Sequence, residues 1–96
     1  MGLTWRFFYY MVRCASLSQV LETLHRARPH VILTDLNLPD SHGYDTFYQV
    51  FEHASDIPIV LMTNLDDEAL ALQAIRNGAQ DYLLETELSG ERRAIQ

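Results

Sequence analysis

Short apolar runs alternate with amphipathic stretches along this 96-residue chain, and that rhythm constrains its fold more than any other feature. Val31-Ile32-Leu33-Thr34 and Ile59-Val60-Leu61-Met62 are apolar on both faces, as strands inside a parallel sheet are. Tyr82-Leu83-Leu84 is a shorter run of the same kind. Trp5–Arg13, with Phe7, Phe8, Tyr9, Tyr10 and Val12, is aromatic and β-rich and reads as a strand preceding them. Between the runs, apolar residues fall at helical spacing: Leu17, Val20, Leu21 and Leu24, then Tyr44, Phe47, Val50 and Phe51, then Leu70, Ala71, Ala74 and Ile75.

The punctuation agrees with this segmentation. Ser16 and Gln19 have the spacing of a capping box at the first helix, and Pro29 ends that helix by removing a donor. Pro39 and Gly43 lie in a loop, and Pro58 opens the second buried run. The acidic cluster Asp66-Asp67-Glu68 suits the positive end of a helix dipole and is expected to cap the third helix. Gly78 stands where a left-handed C-cap belongs, and Ser89 is placed to cap a truncated last helix. The order β-α-β-α-β-α-β implies an α/β fold with a mostly parallel, right-handed, doubly wound sheet. In such folds the functional groups stand beyond the carboxyl ends of the strands.

Composition excludes several classes. A net charge of −6 argues against binding a phosphate backbone or an anionic lipid surface, so neither nucleic acid nor membrane is expected as a partner. No apolar stretch approaches the ~20 residues that span a bilayer, and the N-terminus lacks the pattern of a secretory signal. The lone Cys14 cannot form an internal disulfide, which fits a cytoplasmic location. The length suits a single domain over residues 1–96. His25, His30, His42 and His53 lack metal-ligand spacing and read as surface or helix-end residues. With no glycine-rich phosphate loop and no Ser/His/Asp grouping, no enzyme activity is expected. All seven basic residues are arginine, so a lysine ammonium is absent from any mechanism.

The strands deliver Asp35, Thr63-Asn64 and Glu85 at their carboxyl ends. Asp35 there is either a reactive carboxylate at the rim of a rigid sheet or an Asx residue stabilising a turn. Thr63 alone reads as a capping hydroxyl.

The segment Asp35-Leu-Asn-Leu-Pro-Asp40, with Gly43 after it, resembles the phosphoacceptor loop of response-regulator receiver domains. Ile57-Pro-Ile-Val-Leu-Met-Thr63 resembles that family's fourth strand, and Asn77-Gly-Ala-Gln-Asp-Tyr-Leu-Leu84 its junction between helix 4 and strand 5. The resemblance runs from about Tyr9 to Gly90, leaving residues 1–8 divergent. It implies a flavodoxin-like (CheY-like) fold and a place in a two-component phosphorelay. Asp35 matches the aspartate that accepts a phosphoryl group from a histidine kinase or phosphotransfer protein. Thr63 matches the hydroxyl that hydrogen-bonds that group, and Tyr82 the aromatic residue that reports it on the outer face. Asp35 and the Asn37 backbone carbonyl would contribute to a magnesium site.

Two departures qualify the resemblance. Receivers end their first strand in an acidic pair that helps hold magnesium. Here the 34 residues before Asp35 hold only one acid, Glu22, inside the first helix. Trp5–Arg13 aligns with the family's second strand, so the first strand and most of the first helix are expected to be missing. Asp66-Asp67 follows the third predicted strand and does not replace that pair. Second, Glu85 occupies the position where receivers carry a lysine that pairs with the phosphoryl oxygens. Two like charges ~4 Å apart repel by about 4 kcal/mol at an effective dielectric of ~20. These features predict a degenerate receiver that accepts phosphate on Asp35 weakly or not at all, or a phosphorylation-independent interaction module (a pseudo-receiver). They also make the chain a partial receiver domain, and a third reading is a fragment whose missing parts lie upstream. An absent first strand would expose the Val31–Leu33 edge; either Trp5–Arg13 closes the gap itself or two copies associate through that edge, and a homodimer is expected.

Overall fold

The computed structural model describes residues 14–85. Their elements are α1 (Leu17–Arg26), β1 (Ile32–Asp35), α2 (Tyr44–His53), β2 (Ile59–Thr63), a 3-10 turn (Leu65–Asp67), α3 (Glu68–Arg76) and β3 (Asp81–Leu84). The expected strand over Trp5–Arg13 and the helical stub at Ser89 lie outside the described residues. β1, β2 and β3 form a parallel sheet in that order, with Thr34 opposite Leu61 and Leu61 opposite Tyr82. Consecutive parallel neighbours joined by helices are the βαβ arrangement that the alternating pattern predicted.

The core lies on one side of this sheet. Ile32, Ile59 and Leu61 pack with Leu17 and Leu24 of α1, Phe47 and Val50 of α2, and Ala71 and Ala74 of α3. Phe47 stacks on Phe51 with ring centroids 5.3 Å apart. The expectation of strands buried on both faces is corrected: Val31 is 55% exposed and Leu33 54%. Their side alternates with the helix-covered side, and no described helix packs there. β1 also begins and ends one residue later than the apolar run suggested, at Ile32 and Asp35.

Helix ends follow local chemistry, with two departures from expectation. The Ser16 hydroxyl accepts from Gln19 N, as a capping box requires, but Gln19 Oε1 accepts from Ala15 N in place of Ser16 N. The expected acidic cap of the third helix is also different. Asn64 Oδ1 caps the 3-10 turn by accepting from Asp67 N, while Asp67 occupies the N-cap position of α3 without a capping bond. At the other end of α3, Gly78 N donates to Ile75 O and Ala79 N to Ala74 O, the paired bonds of a Schellman motif. Gly78 has φ +130°, and a Cβ there would lie 2.6 Å from the Phe51 ring, so glycine is required twice over.

Candidate functional site

The carboxyl ends of β1 and β2 open into a cleft of about 230 Å³ lined by Asp35, Leu36, Asn37, Met62, Thr63, Asn64, Asp67 and Glu85. The fold thus brings together four of the positions singled out in the sequence: Asp35, Asn37, Thr63 and Glu85. The parallel register sets this convergence, because strands running the same way all end at one rim. Asp35 closes β1 opposite Met62, and Thr63 closes β2 opposite Leu84. Thr63 is 3% exposed, and its hydroxyl donates to Asn64 O, so it does not cap the following turn.

Glu85 lines the cleft with Asp35, and its hydrogen-bonding interaction with the Asp35 carboxyl group raises the Glu85 pKa above its ordinary value. Partial burial and the Asp35 charge push in the same direction. Because Glu85 is exposed, repulsion between the two charges is screened toward ~1 kcal/mol at ~4 Å, the value appropriate to water. This is below the ~4 kcal/mol that a half-dry site would impose.

Loop contacts shape the rest of the rim. Asn37 Nδ2 donates to Asp67 Oδ2 at 2.9 Å, and Asn37 Oδ1 accepts from Gly43 N at 3.1 Å. Asp40, which sequence reasoning had placed only within the loop motif, accepts from Leu17 N at 2.7 Å and Ser18 N at 3.0 Å. Those bonds lower the Asp40 pKa, since they favour its charged form. The rim loop is therefore anchored to the start of α1 as well as to the turn before α3.

Tyr82 stands apart from the cleft lining. Its side chain projects on the helix-covered side of β3, where its hydroxyl donates to Glu68 Oε2 at 2.5 Å, in the first turn of α3. Glu68 was read from sequence only as part of an acidic cluster. A contact between residues 14 positions apart leaves no trace in local periodicity.

The donor set does not fit a magnesium ion well. Among the described residues no group of three Asp, Glu, His or Cys side chains is arranged to hold a metal. Asp35, Asp67 and Glu85 line the cleft, but the Asp67 carboxylate is engaged by Asn37. Magnesium demands near-octahedral oxygen ligation, and the carboxyl groups of Asp35 and Glu85 alone offer less than that.

Comparison with known proteins gives a consistent answer. The family described as the response regulator receiver domain matches residues 6–88. Regulatory protein LuxO of Vibrio cholerae is 45% identical over 64 residues, covering 67% of this chain and 14% of that protein. Transcriptional regulatory protein KdpE of Staphylococcus aureus is 37% identical over 76 residues, covering 78% of this chain and 32% of that protein. The solved receiver domain of NtrX from Brucella abortus superposes with a TM-score of 0.72 at 20% identity, over 88% of this chain and 77% of that one. A response regulator from Burkholderia pseudomallei, solved with a phosphorylated aspartic acid, calcium ion and citrate, gives a TM-score of 0.63 at 25% identity, over 79% of this chain and 45% of that one. The α/β architecture is that of CheY-like receivers. The chain belongs to the response regulator receiver domain family of two-component systems. It spans 14% to 32% of the length of the two regulators described above.

Proposed function

We infer that this chain is a degenerate receiver, a signalling module and not an enzyme, in which Asp35 accepts a phosphoryl group weakly or not at all. The observation that carries this reading is the placement of the Glu85 carboxyl group in the same cleft as Asp35 and Thr63, with no basic side chain in the lining among the described residues. Phosphoryl transfer asks the protein for positioning and for positive charge around the moving oxygens. Glu85 supplies a carboxyl group at that point and competes for the oxygen of Asp35 that would attack phosphorus. Thr63 is the hydroxyl placed to meet an incoming phosphoryl group, and Tyr82 is the residue whose position would report it. Asn37 serves this reading through its side-chain bonds, and no step depends on magnesium. The donor of the phosphoryl group is a histidine kinase or phosphotransfer protein, and the setting is cytoplasmic. Among the described residues no helix is long and apolar enough to cross a membrane.

The test incubates the full chain with a small acyl phosphate and magnesium and follows the mass of the protein. The expected result is slow, substoichiometric labelling, raised at least about tenfold in Glu85→Lys, a change of roughly 1.4 kcal/mol. Rapid stoichiometric labelling of Asp35 in the unaltered chain would overturn the reading.

A second reading, a phosphorylation-independent interaction module, is favoured by the Tyr82–Glu68 bond, which already fixes Tyr82 against α3 with Asp35 unmodified. Asp35→Asn discriminates the two: it abolishes signalling in the first and changes little in the second. β1 stands at an edge of the three-stranded sheet among the described residues. Pairing of two copies along that edge gives the expected homodimer. A clean monomer by light scattering at micromolar concentration counts against it.

A further inference from the structure

We propose that the loop after β1 is a strut that couples the cleft rim to the first turn of α1. That turn becomes a second place where a change at the rim is read. The helix start is built around a carboxylate it does not itself carry. Its first internal bond is Val20 N to Ser16 O, which leaves the amides before it to find other acceptors. Gln19 N uses the Ser16 hydroxyl, but Leu17 N and Ser18 N donate to the two oxygens of Asp40, at 2.7 and 3.0 Å. A helix of ten residues is marginal by itself, so its first turn depends on such acceptors. A carboxylate suits the place, because charge-assisted bonds at the positive end of a helix are stronger than neutral ones.

The loop that presents Asp40 has little slack. Leu38 N donates to Ser41 O at 2.7 Å and Ser41 N to Leu38 O at 3.2 Å, closing the turn around Pro39 and Asp40. Pro39 fixes one of the turn's dihedrals. Behind the turn, the Ser41 and Thr46 hydroxyls meet at 2.8 Å, both buried, which ties the loop to α2. Ahead of it, Asn37 bonds Asp67 and Gly43 N at the rim. Asn37 and Asp40 are thus the two ends of one braced segment, separated by Leu38 and Pro39 alone. N–H···O bonds hold over only about 2.7–3.2 Å, so a small displacement of Asn37 reaches Leu17 and Ser18 as bonds lost.

The strut runs away from Tyr82. Asp67 leads into α3, which Tyr82 meets through Glu68, whereas Leu17 begins α1, and α2 packs against both helices. The chain of bonds from Asn37 through Asp40 to Leu17 does not include Tyr82. The element with two states is the first turn of α1, either docked on Asp40 or frayed. By reciprocity, whatever grips the start of α1 biases the rim by the same factor.

The test measures amide hydrogen exchange by NMR on the full chain in two single variants. Rates are compared with that of Ala79, whose amide bonds Ala74 O at the far end of α3 and carries only the general loss of stability in each variant. Beyond that reference, Asn37→Ala is expected to speed exchange of Leu17 and Ser18 at least about threefold, although its own bonds go to Asp67 and Gly43. Asp40→Asn is expected to speed exchange of Gly43 by a similar factor. If Leu17 and Ser18 change no more than Ala79 in the first variant, or Gly43 no more than Ala79 in the second, Asp40 is a local cap and the proposal is overturned. In Glu85→Lys labelled at Asp35, the amide resonances of Leu17 and Ser18 are expected to shift, and labelled protein with both unshifted overturns it as well. This last arm rests on the phosphoryl reading. A chain that takes no label counts against that reading, and the exchange rates still decide the coupling.

Discussion

Asn37 donates to Asp67 across 2.9 Å, joining the loop after β1 to the turn that leads into α3. The same side chain accepts from Gly43 N, so one amide group holds three segments of the rim together. Asn37→Ala removes both bonds at an exposed site, where each contributes on the order of 0.5–1.5 kcal/mol. A loss of ~1 kcal/mol lowers the melting temperature of a domain this size by about 4–8 °C, measurable by circular dichroism. An unchanged melt would show that these bonds are replaced by water without cost.

Asp40 gives acid sensitivity to the start of α1. Its folded pKa is depressed by the amides of Leu17 and Ser18, so the native state binds this proton less readily than the unfolded chain does. The stabilisation is present above the unfolded value and disappears as pH falls through the lower folded value. Urea midpoints measured from pH 6 downward are expected to fall less steeply in Asp40→Asn than in the parent, with Asp40→Asn the less stable of the two at pH 6.

Glu85 has the opposite sign. Its folded pKa is raised by Asp35, so its proton stabilises the native state below the unfolded value, and that contribution is lost as pH rises through the folded value. Glu85→Gln is expected to remove this decline and to leave the domain more stable than the parent at pH 7. Denaturant midpoints at pH 4 and pH 7 provide the check. Equal midpoints for parent and variant at pH 7 would show that the two carboxyl groups do not interact.

Gly78→Ala tests the junction between α3 and β3. The residue would carry a Cβ at φ +130° and 2.6 Å from the Phe51 ring, combining backbone strain with a clash. Strained backbone of this kind costs on the order of 1–3 kcal/mol. The melting temperature is expected to fall accordingly, and pairing the change with Phe51→Leu to recover only the part due to the ring.

How much of this was legible beforehand depended on the range of each interaction. The three described strands and three helices follow from local spacing of apolar residues and from Ser16, Pro29, Pro58 and Gly78, and the structure places all of them within a residue or two. The meeting of Asp35, Thr63 and Glu85 at one rim followed from the parallel order of their strands. Periodicity carries no information on pairs such as Asp40 with Leu17, 23 residues apart, or Asn37 with Asp67, 30 apart. Nor does an apolar run reveal whether both of its faces are covered. Val31-Ile32-Leu33 has the composition of a fully buried strand, yet only Ile32 is buried.

The neighbour-by-neighbour pairing of β1, β2 and β3 has a kinetic consequence. Among the described residues Ile32 meets Ile59 and Val60 meets Asp81, so each strand pair closes a loop of a few tens of residues. Loop-closure entropy grows only slowly with length, so pairing successive strands costs somewhat less than pairing strands at opposite ends of a chain would. The described region can therefore assemble progressively, each βαβ unit offering a finished template to the next as the polypeptide emerges during synthesis.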